Sequence, residues 1–160
     1  MLNVIKNTFK HSIIYSFGNI GIKVVGLILI PIYTNQEYLT ADEYGAFAIL
    51  ESLLAILSSL LPIYIGQSLA RWYWIRDDRA YQKAIFFNTL VFITIVQAIF
   101  LAISLPLYNQ ITYILFTSTE YSYVVKLTLI TVSVNIVIQQ VLHLAKVQQK
   151  SLQYSLVNIF

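Results

Sequence analysis

The chain has 160 residues, of which 58% are hydrophobic, 14% aromatic and only 11% charged, and its mean hydropathy is +0.72. A soluble domain carries about 25% charged residues, so this composition excludes a protein that covers itself in water and points to lipid as the solvent. The absence of cysteine excludes disulfides and thiolate metal sites. The formal net charge of +3 is small, and where the charges stand matters more than their sum.

Lys6 and Lys10 precede the first apolar run, which covers about residues 12–33. Lys23 stands near the centre of that run and no small-x-small cleavage site follows, so the run reads as a retained helix and not a removed signal. Ser12, Ser16, Asn19, Lys23 and Gly26 recur at helical spacing and form one polar stripe. The next connection, Asn35–Glu43, has no basic residue and carries Glu37, Asp42 and Glu43. A second run, about 44–65, repeats Glu51, Ala55, Ser58 and Pro62 on one face.

Arg71, Arg76, Arg79 and Lys83 follow, interleaved with Trp72, Tyr73 and Trp74. Beside a membrane span, such a basic and aromatic loop reads as facing lipid headgroups and not nucleic acid. Asp77 and Asp78, between arginines, read as a solvated loop cluster. The third run, about 84–107, carries Thr94, Gln97 and Ser104. The connection Tyr108–Tyr123 has no Lys or Arg, with Lys126 at its far margin. The fourth run, about 124–145, carries Thr128, Thr131, Asn135, Gln139, His143 and Lys146 on one face. The apolar start of a fifth run begins at about residue 154.

Runs of about 20 residues at 1.5 Å each cross a hydrocarbon core of about 30 Å. Pro31, Pro62 and Pro106 stand near the ends of the first three runs and read as helix terminators. Eight of the ten basic residues (Lys6, Lys10, Arg71, Arg76, Arg79, Lys83, Lys146 and Lys150) fall on one side of this arrangement. By the positive-inside rule that side is the cytoplasm, and the N-terminus lies there. The expected fold is an all-α membrane protein, an antiparallel transmembrane helix bundle of four complete spans and the start of a fifth. Tyr33, Tyr64, Trp72, Tyr73, Trp74, Tyr108, Tyr121 and Tyr123 then fall near the boundaries, as an interfacial belt does.

A charged side chain near the bilayer centre costs about 2.5–3.5 kcal/mol on insertion scales and needs a partner or water. Lys23 and Glu51 match in depth to within about one turn, so either an ion pair or a water-filled cavity accommodates them. Helix packing explains many of the hydroxyl positions, and His143 and Lys146 read as interfacial cations. The candidate substrate-contacting residues are Lys23, Asn19, Glu51, Asn135 and Gln139. No His/Cys cluster, Gly-rich phosphate loop or Ser-His-Asp set is present, so neither an enzyme nor a metal or other cofactor is expected.

The run from His11 to Gly26, then Ile30-Pro31-Ile-Tyr-Thr34, then Leu39-Thr-Ala-Asp-Glu-Tyr44-Gly45, resembles the opening of bacterial polysaccharide-biosynthesis exporters. These are the O-antigen and capsule flippases of the multidrug/oligosaccharidyl-lipid/polysaccharide superfamily. Leu142–Tyr154 also resembles that family's stretch between its fourth and fifth helices. The resemblance implies the N-terminal part of a transporter of 12 to 14 helices in the bacterial cell membrane. Its cargo would be a polyprenyl-diphosphate-linked oligosaccharide, moved across the cytoplasmic membrane. Its partners would be membrane lipid, with a glycan polymerase or glycosyltransferases. The resemblance also implies a cavity cation that meets the lipid diphosphate, for which Lys23 is the matching position. A chain ending at the start of the fifth helix would lack the rest of the first lobe, and activity alone is not expected of it. The alternatives are a cation-coupled drug exporter of the same superfamily, whose usual first-helix carboxylate is missing here, and a small membrane scaffold protein.

Overall fold

The computed structural model describes residues 20, 23–31, 35 and 40–150. Residues 20 and 23–31 are helical, and five further helices follow: α1 (Ala41–Leu60), α2 (Ile65–Tyr73), α3 (Arg79–Ser104), α4 (Tyr108–Phe116) and α5 (Ser122–Val147). No strand occurs among the described residues. Three stretches are long and apolar enough to cross a membrane: Ala41–Tyr73, Arg79–Ser104 and Ser122–Val147. Most of the first expected span, with Ser12, Ser16, Asn19 and Tyr33, lies outside the described residues, as does the expected fifth beginning at Tyr154.

Local side-chain chemistry sets the helix starts. Thr40 accepts at its hydroxyl from the Glu43 N–H at 3.3 Å, and the Thr40 N–H donates to Glu43 Oε2 at 2.8 Å. This reciprocal capping box opens α1 three residues before the expected start at residue 44. Asp78 accepts from the N–H groups of Ala80 and Tyr81 at 3.1 and 3.3 Å, so α3 begins at Arg79 and not at residue 84. The aspartate read as a solvated loop charge is the cap of the third helix. At the other end, α5 runs to Val147 and closes in a Schellman turn. Lys150 N donates to the Ala145 carbonyl at 2.9 Å and Gln149 N to that of Lys146 at 3.0 Å, with Gln149 at φ 58° in the left-handed position usually given to glycine.

The second expected span is not one rod ending near residue 65. Pro62 has no N–H to offer the Ser58 carbonyl, and Ile63 and Tyr64 adopt left-handed φ of 47° and 52°. The helix breaks there and resumes as α2, carrying Arg71 in its last turn. The expected loop at 108–123 likewise contains α4, whose Thr112 is fully buried and donates to the Tyr108 carbonyl at 2.7 Å.

Ile65, Ile93, Val132 and Ile136 form the core where α2, α3 and α5 meet, with Leu54, Leu57 and Leu61 of the α1 side packed against it. The outer face of α3 is the reverse of a water-soluble helix. Phe87, Phe92, Ile95, Ile99 and Ile103 are exposed there, while two of its three buried residues, Gln97 and Ser104, are polar. Apolar exposure on this scale belongs against lipid or a partner. It agrees with membrane insertion and with the low charge content.

Candidate functional site: a polar cavity at the broken helix

A cavity of about 450 Å³ lies where α1 gives way to α2. The junction supplies Ser58, Pro62 and Gly66, α5 supplies Asn135, Ile136, Gln139, Gln140 and His143, and α3 closes the floor with Ile93. The helical repeat explains why the α5 residues share a wall, since positions 135/136, 139/140 and 143 lie one turn apart. They span about 12 Å along an axis of 1.5 Å per residue. Asn135 sits at the middle of α5, so the cavity runs from mid-helix toward the end that carries Lys146.

Three features make this cavity more than a packing gap. The Ser58 carbonyl faces a residue, Pro62, that lacks the N–H a helix would use there. Gln140 is buried to 3% exposure, yet its Nε2 has no hydrogen-bond partner. A buried donor without an acceptor calls for water or a ligand oxygen. Gly66 is pressed against the His143 ring, for a Cβ built on it would lie 2.5 Å from Cδ2 and 2.7 Å from Nε2. Only a residue without a side chain lets the imidazole lie over the start of α2.

Of the sequence candidates, Asn135 and Gln139 stand together on this wall, joined by Ser58 and Pro62 of the second stripe and by His143 of the fourth. Lys23 and Glu51 are not among its walls. Both are exposed helical residues, and among the described residues no ion pair joins them. Asn19 lies outside the described residues. Gln140 was missed because it falls one position off the stripe. The adjacent pair Gln139-Gln140 in an apolar helix was the available signal.

The stripes do not all converge. Gln97 of the third span faces α5 across a separate cleft of about 310 Å³, with Thr94, Ala98, Leu101, Ser133, Val134, Val137 and Ile138. The Thr94 and Thr128 hydroxyls need no external partner. Each donates to a carbonyl four residues back, on Leu90 at 2.8 Å and Val124 at 2.9 Å. Ser52 and Ser59 do the same toward Ala48 and Ala55, both at 2.8 Å. Such back-bonding is how hydroxyl side chains are satisfied within a lipid-embedded helix. A polar stripe is thus partly an intrahelical matter.

Among the described residues, no group of three or more His, Cys, Asp or Glu is placed to hold a metal ion. In comparison with known protein families, curated proteins and solved structures, the chain matches none.

Proposed function

We propose that the chain forms the N-terminal transmembrane part of a flippase that moves a polyprenyl-diphosphate-linked oligosaccharide across the bacterial cell membrane. In this reading four antiparallel spans and the start of a fifth are inserted with the N-terminus in the cytoplasm. The resemblance of residues 11–45 and 142–154 motivates it. The observation that carries it is the polar cavity at a broken helix, from the middle of α5 toward its Lys146 end. Transporters build substrate sites from interrupted helices near the bilayer midplane, where freed backbone groups and amides face water. Asn135, Gln139 and Gln140 are suited to sugar hydroxyls, because an amide offers both donor and acceptor to a group that does the same. A cavity of about 450 Å³ accommodates a part of such a cargo at a time. Lys23 keeps its proposed role as the cation that meets the diphosphate.

The test is polysaccharide export in cells that depend on this gene. The pair Asn135→Leu and Gln139→Leu should reduce export about tenfold, as expected for the loss of one or two ligand hydrogen bonds, with protein level unchanged. Undiminished export would overturn the cavity's role, and undiminished export by Lys23→Ala would remove Lys23 from the mechanism.

A further inference from the structure

At the Lys146 end of the bundle the structure builds a second site, unrelated to the polar cavity. A pocket of about 360 Å³ is walled by Tyr73, Trp74, Arg79, Gln82, Lys83, Gln148 and Lys150. Three cations enter it from two separate places in the chain. Arg79 and Lys83 are one helical turn apart on the first turns of α3, so they project side by side. Lys150 comes from beyond α5, where the Schellman turn holds its backbone through the 2.9 Å bond to Ala145. The third wall is fixed by Gln148, whose Nε2 donates to the Tyr73 hydroxyl at 2.8 Å, tying the end of α2 to the end of α5. The Tyr73 ring is itself buried and meets Trp74 edge-on at 5.2 Å.

Among the described residues no carboxylate lines this pocket. The nearby Asp78 is committed to the Ala80 and Tyr81 N–H groups, and Arg76 lies over the Tyr81 ring at 5.4 Å. A concave site with three cations, no carboxylate among the described residues of its walls, a fixed hydroxyl and amide, and an exposed tryptophan has the chemistry of an oxyanion site at a membrane surface.

We infer that this pocket holds a phosphate group at the membrane–water interface, and that its ordinary occupant is the phosphodiester of an anionic phospholipid headgroup. Lys83 from α3 and Lys150 from beyond α5 neutralise the phosphate oxygens, Arg79 adds a forked donor, and Trp74 lies along the glycerol and upper acyl region. The site is independent of the transport reading and stands or falls without it.

The experiment uses the full chain in mixed micelles, with Trp72→Phe leaving Trp74 as the single tryptophan. Quenching of Trp74 by brominated phosphatidylglycerol is compared with quenching by brominated phosphatidylcholine. The anionic lipid should quench at a several-fold lower mole fraction. Lys83→Gln and Lys150→Gln should each weaken that preference about fivefold, as expected for a cation at a charged surface. Lys83→Arg should retain it, which separates loss of charge from loss of fold. Arg71→Gln and Arg76→Gln, outside the pocket, should change it little. Inorganic phosphate, set against chloride at equal ionic strength, distinguishes the sources. Displacement of the lipid by millimolar phosphate would show that the oxyanion alone suffices, and absence of displacement that the lipid body is needed. Both are forms of the same site. Equal quenching by the two lipids, or equal losses from Arg71, Arg76, Lys83 and Lys150 variants, would overturn it in favour of a diffuse basic surface.

Discussion

The two flanks of α5 bury amides in opposite settings. Toward the α1–α2 junction, Gln140 opens on a cavity shared with Ser58, Asn135, Gln139 and His143. Toward α3, Gln97 and Ser133 are buried to 3% and 2% exposure in a cleft whose other walls are almost all apolar, and their side-chain polar atoms have no partner. The difference is the helix break. At the break, Pro62 and the left-handed pair Ile63-Tyr64 leave a polar cavity beside the packed Ile65 and Gly66 contacts to α5, whereas the unbroken α3 meets α5 along an almost wholly apolar cleft. Equal polarity in two stripes therefore produces a site in one case and an unsatisfied seam in the other.

The comparison can be broken in three ways. The largest effect should come from Gly66→Leu, which drives a side chain into the His143 ring. Overpacking of this kind destabilises by about 1–3 kcal/mol, and Gly66→Leu combined with His143→Ala should recover most of the loss. Unfolding of the detergent-solubilised protein measures both. Additive effects in the double variant would mean the ring is not what Gly66 accommodates.

Next, the chain's lack of cysteine allows single cysteines to report water access without background. Asn135→Cys should react with a membrane-impermeant maleimide about tenfold faster than Ser133→Cys, because a thiol buried in apolar surroundings is both shielded and slow to ionise. Equal rates would erase the distinction between cavity and seam. The smallest effect concerns stability. Gln97→Leu should be neutral or stabilising by about 1 kcal/mol, since it removes a buried amide without partners. Gln140→Leu should give no such gain once water or a ligand oxygen in the cavity accepts from its Nε2, the partner that the protein itself does not supply. A clear loss from Gln97→Leu would show that this amide has found a partner in the membrane.

Much of the local structure was legible. Thr40-Ala-Asp-Glu43 is a capping-box pattern and Asp78 before Arg79 is an ordinary N-cap, although the first also belongs to the family-like turn and the second also reads as loop charge. Reading both as caps moves the starts of α1 and α3 to where they stand. Pro62 was visible as an interruption. That α2 resumes after it was not, because Ile63 and Tyr64 are poor candidates for the left-handed backbone they adopt. Gln149 is the same case at the end of α5, where glycine would have announced the turn.

For the candidate site, Asn135 and Gln139 were identified by their spacing. Their meeting with Ser58, Gly66 and His143 was not, since periodicity places residues on a face without saying which helix that face meets. Composition and hydropathy by themselves determined that the chain is helical, apolar and suited to lipid, because a backbone in hydrocarbon must satisfy its own hydrogen bonds. Only the tertiary structure decided which polar stripe lines a polar cavity, which lies in an apolar cleft and which is answered within its own helix. That outcome depends on how closely two rods approach, and their separation is set by a break, a glycine and a ring drawn from distant parts of the sequence.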